Sequence, residues 1–264
     1  MAQELSSAMQ DYLKVVCTEA EWSTEPITTT ALATRLDVAP SSVSEMIRRL
    51  AALGLVHHRP YEAIQLTEEG RRMGLAMMRR HRLIETFLVD VLGYTWDEVH
   101  DEAEVLEHAI SDKMLDRIDA KLGFPTRDPH GDPIPDATGA VQMPDAVRLD
   151  SLEENEIGII ARISDSDPNL LRHLEERGLH LDVVVEVRGQ APFTGGTTIA
   201  RLDADTRAAG ETQPGGDAPP EAESAQDSAD EVVLGEAALA AIWVVRAPRL
   251  GGVSPAPRSC APPR

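Results

Sequence analysis

The hydrophobic pattern of this 264-residue chain changes near Pro144. Before that point, apolar residues recur three and four positions apart in six successive segments, which is the spacing of amphipathic helices. After it come short segments rich in β-branched residues, as in a small β domain. Between the halves lies FPTRDPHGDPIPDATG, whose Pro, Gly and Asp content is typical of a loop or linker. The chain is therefore predicted to be mainly α-helical, with a small β domain after the helices.

The pattern also predicts individual elements and domains. Helices are predicted at residues 7–21, 29–36, 41–53, 67–92, 96–110 and 111–122, with a hairpin formed by 55–58 and 63–66. Ser41 and Thr67 are placed to cap the third and fourth helices. The second half is predicted to contain strands at 157–164, 181–187 and 197–202, more strand within 232–245, and a helix at 169–177. We expect domains at 1–66, 67–143 and 144–245, with a disordered insertion at 203–231 and a disordered tail at 246–264.

Composition excludes several classes of protein. No apolar run approaches the roughly 18 residues that a membrane span requires, and the first residues lack the basic and apolar regions of a secretory signal. Cys17 and Cys260 are the only cysteines, which excludes a disulfide framework and a multi-cysteine zinc site. We therefore expect a cytoplasmic protein that does not bind membranes.

The segment from residue 29 to residue 66 has the pattern of a winged helix-turn-helix. Although the chain carries a formal net charge of -20, Ile47–Arg82 holds eight Arg against three Glu, a local charge of +5 that could attract DNA phosphates. Small polar residues begin the second helix of this motif, at 41–53, as a recognition helix requires. The predicted DNA-binding residues are Pro40, Ser41, Ser42, Ser44, Arg48, Arg49 and Arg59. Glu45 would repel phosphate unless it reads a cytosine amino group. The alternative is an ordinary helical hairpin with a solvated charged face.

Histidines and acids recur at helical spacing after the wing. Glu104, Glu107 and His108 are spaced to share one helix face, with His100 one turn earlier, and the preceding helix carries the i, i+4 pair His81 and Glu85. Imidazoles and carboxylates without a thiolate favour Mn(II) or Fe(II) over softer ions. Each pair alone could be a solvated surface pair, but six such residues on consecutive helices favour a metal site.

At this point the chain resembles the DtxR/MntR family of iron- and manganese-dependent repressors. The resemblance covers about residues 5–245 and rests on MQDYLKVV, DVAPSSVSEMIRRL, MRRHRLIETFLVDVLG, WDEVHDEAEVLEHAISDKMLDRI, PHGDPIP and ISDSDPNLLRHLEERGL. It implies a winged-helix DNA-binding domain, a helical dimerisation and metal-binding domain, and a C-terminal SH3-like (FeoA-type) domain.

The resemblance also implies metal ligands. The primary site corresponds to Asp11, Glu104, Glu107 and His108, and the ancillary site to His81, Glu85, His100 and Asp165, with Asp167 as the alternative to Asp165. In the iron-sensing branch, Met and Cys stand at the positions of Asp11 and Glu104, so the two carboxylates point to the manganese branch. Lys14 departs from the small manganese sensors, which have a carboxylate there. The two-site arrangement of the three-domain members is therefore expected instead of a closely spaced binuclear site.

These observations together predict a homodimeric DNA-binding transcriptional repressor of metal-uptake genes, activated by Mn(II) and bound to a palindromic operator. An Fe(II)-dependent repressor of the same fold is the alternative, and other divalent metals are expected to bind in vitro. The rival from another class is a di-metal carboxylate enzyme. The sequence argues against it because a second Glu-x-x-His is missing. We expect no enzyme activity and no small-molecule substrate.

Overall fold

The computed structural model describes residues 5–23, 25–57, 62–191, 195–202 and 230–247. The chain divides into two units, residues 1–143 and residues 144–264. The first unit is helical and the second is built on an antiparallel sheet, so the predicted fold class is confirmed. No helix among the described residues has both the length and the apolar character needed to cross a membrane.

A winged helix-turn-helix begins the first unit. Its elements are α1 (Ser7–Trp22), α2 (Thr29–Arg35), α3 (Pro40–Ala52) and the antiparallel pair β1 (Val56–His57) and β2 (Gln65–Leu66). The inner faces of α1, α2 and α3 form one core around the fully buried Leu13, Leu32 and Ile47. Because α1 shares this core with α3, a movement of α1 would carry α3 with it.

The start of α3 differs from the expected one. The helix begins at Pro40, and Ala39 is its N-cap without a side-chain hydrogen bond, so the prediction that Ser41 caps the helix is wrong. Proline is suited to this first position because its fixed φ is already helical and it has no N–H to leave unpaired. Ser41 therefore lies inside the first turn, where its side chain is exposed.

Three further helices complete the first unit: α4 (Glu68–Leu92), α5 (Val99–Leu106) and α6 (Asp112–Leu122). The hydroxyl oxygens of Thr67 and Ser111 accept backbone hydrogen bonds at the starts of α4 and α6, as capping predicts. The helix predicted at 96–110 is shorter than expected. The chain turns after Leu106, and Arg80 donates hydrogen bonds to the carbonyl oxygens of Glu107 and Ile110 in this turn.

Gly74 brings α1 close to α4. A Cβ atom at this position would lie 2.5 Å from the Sγ of Cys17 and 2.7 Å from the carbonyl oxygen of Leu13. A larger residue would therefore push the two helices apart. This close approach places the polar side of α1 against the His- and Glu-bearing faces of α4 and α5.

The second unit contains a six-stranded antiparallel sheet in the order β3-β8-β4-β5-β6-β7. Its elements are β3 (Ala146–Arg148), a 3-10 turn (Leu149–Ser151), β4 (Ile157–Ile163), α7 (Pro168–Glu175), β5 (Val184–Gln190), β6 (Thr197–Leu202), β7 (Asp230–Leu234), α8 (Glu236–Ala240) and β8 (Ile242–Ala247). The short strand β3 was not anticipated. The stretch 232–245, which was expected to supply more strand, contains most of β7 and β8, with α8 between them.

The predicted disordered segments need correction at their edges. Asp230 and Glu231 belong to β7, because they pair with Arg201 and Ala200 of β6. Arg246 and Ala247 belong to β8 and pair with β4, so they are not part of a tail. The remaining residues, 203–229 and 248–264, lie outside the described part of the chain.

Candidate metal centre and nucleic-acid interface

Asp11, Glu107 and His108 meet where α1 passes the end of α5. One ligand atom from each of the three lies within 4.8 Å of the others. The Nε2 of His108 is 2.7 Å from the Oδ1 of Asp11. Burial raises the pKa of Asp11 above its ordinary value, although His108 acts in the opposite direction. We call this group the α1 cluster; it joins the first helix to the chain that follows α5.

His81, His100 and Glu104 form a second group within the same distance limit, which we call the α4–α5 cluster. The Nε2 of His81 is 3.2 Å from the Nδ1 of His100, and His100 Nε2 is 3.7 Å from the Oε1 of Glu104. The resemblance grouped Glu104 with the primary ligands, whereas the structure groups it with two histidines of the ancillary set. Its role as a primary ligand stays a prediction.

His81 connects the two clusters. Its Nδ1 lies 2.6 Å from the Oε2 of Glu107, and its Nε2 lies 2.9 Å from the Oε1 of Glu85. Burial by itself would lower the pKa of His81, but the two carboxylates outweigh it and raise the pKa to about 9. The same contact holds the pKa of the buried Glu85 well below its usual range, against the effect of burial.

Lys14 lies between the clusters with its ammonium group buried. Its Nζ is 2.6 Å from Glu104 Oε1, and 2.7 and 2.9 Å from the two carboxylate oxygens of Glu107. Burial would lower the pKa of Lys14, but the two glutamates more than compensate and raise it. Lys14, which stands where the small manganese sensors have a carboxylate, therefore contacts the candidate ligands directly.

Asp128 and His130 are candidate ligands that the sequence reasoning did not select. Together with Glu85 they form a third group, fully buried, which we call the loop cluster. Burial, with help from Asp132 and Glu85, raises the pKa of Asp128 to about 7. Both residues lie in the loop DPHGDP after α6, where no periodicity marks a ligand. The signals in this stretch were a His two positions after an Asp and the motif PHGDPIP, which is part of the resemblance but did not mark a ligand.

Asp165 and Asp167 lie in the second unit, between β4 and α7. The Oδ1 of Asp167 accepts hydrogen bonds from the backbone nitrogens of Asn169 and Leu170, at 2.9 and 3.4 Å, and caps α7. Capping therefore occupies Asp167 and not Asp165. A metal-binding role for Asp165 stays a prediction.

The donor atoms of the three clusters are imidazole nitrogens and carboxylate oxygens, which fit a divalent first-row ion of the harder kind. Glu85, Glu107, Asp128 and His130 are all buried. Buried acids are rare unless they are paired, and Lys14 and His81 already pair with Glu107 and Glu85. In ligand type and spacing, the described residues are suited to hold divalent metal.

The predicted DNA-reading residues of α3 lie on its outer face. Pro40, Ser41, Ser42, Ser44, Arg48 and Arg49 are exposed, while Arg59 lies outside the described residues. Glu45 forms ion pairs with Arg48 and Arg49 on the same face. DNA phosphates would therefore compete with Glu45 for these two arginines.

The summed charge of +5 over Ile47–Arg82 suggested a surface that could attract DNA phosphates, but not all of these arginines face solvent. Arg79 bonds to Asp119 at 2.6 Å, and the buried Arg82 bonds to Glu21 at 2.6 Å. These arginines serve ion pairs inside the first unit. The cations available to DNA in the described residues are therefore fewer than a local charge of +5 implies.

Comparisons with known proteins agree with this arrangement. Three family models match: the iron dependent repressor N-terminal DNA binding domain at residues 4–64, the iron dependent repressor metal binding and dimerisation domain at 67–136, and the FeoA domain at 147–209. The iron-dependent repressor IdeR of Mycobacterium tuberculosis is 33% identical over 219 residues, which are 81% of this chain and 87% of that protein.

Two solved structures have the same fold. A manganese-dependent transcriptional repressor in complex with manganese is 48% identical, with a TM-score of 0.78 over 90% of this chain and 100% of the other. The manganese regulator SloR is 28% identical, with a TM-score of 0.68 over 90% of this chain and 98% of the other.

Proposed function

This chain belongs to the iron-dependent repressor family, and we propose that it is a Mn(II)-activated repressor of metal-uptake genes that binds a palindromic operator as a cytoplasmic homodimer. The family consists of DNA-binding regulators, and we propose no enzyme activity for this chain. An Fe(II)-activated repressor of the same fold is the alternative.

One observation carries the preference for manganese. The α1 and α4–α5 clusters contain only carboxylates and imidazoles, and the two positions that are Met and Cys in the iron-sensing branch are Asp11 and Glu104. Thiolate and thioether ligands favour softer ions, whereas carboxylate oxygens suit Mn(II). The similarity to manganese-dependent repressors supports the same preference.

The position of Asp11 suggests how an ion could control DNA binding. Asp11 belongs to α1, which shares a hydrophobic core with α3, while Glu107 and His108 follow α5. A bound divalent ion supplies positive charge that favours the arrangement in which these ligands converge. Asp11 would then hold α1, and with it α3, in one position relative to α4 and α5. Such a switch works only if the ion binds the DNA-competent arrangement more tightly.

We place a second ion on the ancillary ligands. Glu85 belongs to two alternative sets of candidate ligands for this ion. One set is His81, Glu85 and His100 from the resemblance, and the other is the loop cluster. Asp165 remains our candidate for a further ligand of this ion. Calorimetric Mn(II) titrations of the His100→Ala, His130→Ala and Asp165→Ala variants separate these sets. Removing a true ligand should lower the affinity for the second Mn(II) equivalent and leave the affinity for the first unchanged. If a variant binds both equivalents as the wild type does, the substituted residue is not a ligand.

The dimer is proposed to form through the helical part of the first unit. Large apolar side chains are exposed on the end of α4, on α5, on α6 and just after it, namely Val91, Leu92, Val105, Met114 and Phe124. Exposed apolar side chains of this size are typical of protein interfaces. A symmetric dimer would present one α3 from each subunit to successive major grooves of a palindromic site.

The deciding experiment is binding of the full-length protein to its own promoter DNA, with Mn(II), Fe(II), Co(II) or Zn(II) added separately to chelated protein. We expect specific binding with Mn(II) at concentrations where chelated protein does not bind. Activation by Fe(II) with none by Mn(II) would select the alternative. Equally tight binding by chelated protein would refute metal activation, and oxygen or peroxide turnover by the Fe(II) form would favour the di-metal enzyme.

A further inference from the structure

Lys14 is a buried cation among candidate metal ligands. Its side chain is 6% exposed, and its ammonium group is within hydrogen-bonding distance of Glu104 and of both carboxylate oxygens of Glu107. The Nδ1 of His81 lies 3.4 Å from the same nitrogen. The ammonium therefore contacts members of both the α1 cluster and the α4–α5 cluster.

These contacts place a positive charge on carboxylate oxygens that a metal ion could otherwise bind. Glu107 has two carboxylate oxygens, and both already accept from Lys14. A carboxylate oxygen held by an ammonium hydrogen bond has lost much of its attraction for a second cation at the same place. A divalent ion that binds Glu104 and Glu107 must therefore displace Lys14 or share these carboxylates with it.

The same contacts connect α1 to α5. Lys14 belongs to α1, whereas Glu104 and Glu107 belong to α5 and its C-cap. Charge-assisted hydrogen bonds at this distance are among the stronger ones in proteins. The ion and the ammonium thus compete for the same carboxylates, and both connect α1 to the rest of the first unit.

We propose that Lys14 is a tethered competitor of the activating ion: its ammonium occupies Glu104 and Glu107 in the ion-free protein and sets the ion concentration needed for activation. This inference rests on the ion binding of the proposed function. It assigns to Lys14 a role in metal affinity, although an ammonium cannot itself coordinate a metal.

The first test measures Mn(II) affinity in three variants by calorimetry on the full-length dimer. Lys14→Met keeps the length of the side chain without charge, and Lys14→Gln keeps a hydrogen-bond donor without charge. Arg79→Met is the matched control, because it removes a partly buried ion pair of the same unit, with Asp119, outside the three clusters. Lys14→Met and Lys14→Gln should bind the first Mn(II) equivalent roughly 10-fold more tightly or better, since a competing unit charge is gone.

Thermal melting of the same proteins distinguishes competition between Lys14 and Mn(II) from a purely structural role of Lys14. Without ion, Lys14→Met should melt at a lower temperature than the wild type. Saturating Mn(II) should raise the melting temperature of Lys14→Met by more than it raises that of the wild type. Arg79→Met should also melt lower, but its ion-induced increment should equal that of the wild type. If Lys14→Met and Lys14→Gln bind Mn(II) no more tightly than the wild type, Lys14 only supports the fold and the inference is wrong.

A second test uses the wild-type protein and so does not depend on whether a variant folds. The chain has three lysines, and Lys113 and Lys121 of α6 are exposed. Reductive methylation followed by peptide mass spectrometry should modify these two equally with and without Mn(II). Lys14 should be protected without ion and become reactive at saturation. If Lys14 is equally protected with and without Mn(II), the ion does not displace it and the inference is wrong. If the wild-type protein binds no Mn(II), the proposed function itself is refuted.

Discussion

The buried Arg82 of the first unit is surrounded by carboxylate and carbonyl oxygens that compensate its charge. Arg82 is buried, and its guanidinium group bonds to both carboxylate oxygens of Glu21 and to the carbonyl oxygen of Pro133. Its Nε lies 3.6 Å from a carboxylate oxygen of Asp128, a member of the loop cluster. Removing one partner from a buried pair of this kind typically costs about 3–5 kcal/mol, because the other charge stays buried without compensation. Substitutions at these positions are therefore expected to lower the stability of the first unit.

Glu104→Cys should move the metal preference of the protein toward softer ions. A thiolate in place of a carboxylate raises affinity for Fe(II), Co(II) and Zn(II) more than for Mn(II). The measurement is the ion concentration that gives half-maximal operator binding for each metal, with Glu102→Cys as the control on the same helix. An unchanged ranking of the four metals would remove Glu104 from the ligand set.

Cys17 should be almost inert toward alkylation in the folded protein. Burial raises the pKa of its thiol to about 12, and the reactive species is the thiolate. At pH 8.5 an ordinary thiol is about half ionised, so the folded protein should react roughly 1,000-fold more slowly than the unfolded chain. The measurement is iodoacetamide labelling of the Cys260→Ser variant with and without denaturant. Comparable rates in both conditions would mean that Cys17 is accessible.

At the scale of elements, the ends of β6 and β7 lie next to each other. Arg201 pairs with Asp230 in the antiparallel register, and their side chains form an ion pair at 2.6 Å. The connection between these strands therefore starts and finishes at neighbouring positions, although it contains 27 residues that lie outside the described part of the chain. Its composition is poor in large apolar residues and rich in Asp and Glu.

Replacing residues 203–229 with Asn-Gly-Ser should leave the fold and metal-dependent DNA binding intact. Asn-Gly is suited to a two-residue hairpin turn, and the added Ser would lie opposite Leu202. A segment with so few apolar side chains contributes little burial, and the shorter loop costs less closure entropy. The melting temperature of the variant should equal or exceed that of the wild type. Loss of folding or of dimerisation would show that the segment has a structural role.

At the scale of the whole molecule, activity should depend on self-association, because a palindromic site is read by two copies of α3. Among the described residues of the first unit, the most exposed large apolar residue is Val105 of α5, at 70%. In the second unit Val233 of β7 is also exposed, at 49%. These two valines allow the proposed location of the interface to be tested with matched substitutions.

Val105→Asp should weaken the dimer at least about 10-fold, since a charge placed in the apolar centre of an interface must be desolvated. Val233→Asp should leave the dimerisation constant unchanged. Sedimentation equilibrium gives the constant for both variants, and operator binding should fall in parallel with dimerisation. Equal behaviour of the two variants would place the interface somewhere else.

Much of the fold could be read from local pattern. Periodicity predicted the helices of the first unit to within a residue or two, except α5, which begins later and ends earlier than the predicted 96–110. The candidate ligands on α4 and α5 were also predictable, because His and Glu recur at the spacing of one helix face. The loop cluster was not, since Asp128 and His130 lie in a loop and reach Glu85 only through the tertiary fold.

The sequence by itself determined which residues line each helix face and which chemistry those faces can offer, because both follow from spacing and residue type. Only the tertiary structure decided which faces meet. It grouped Glu104 with His81 and His100, and it placed the ammonium of Lys14 between Glu104 and Glu107. The physical reason is that these contacts join residues of α1, α4 and α5 up to 93 positions apart. Their distances depend on how closely the helices pack, at Gly74 above all, and no local pattern encodes that packing.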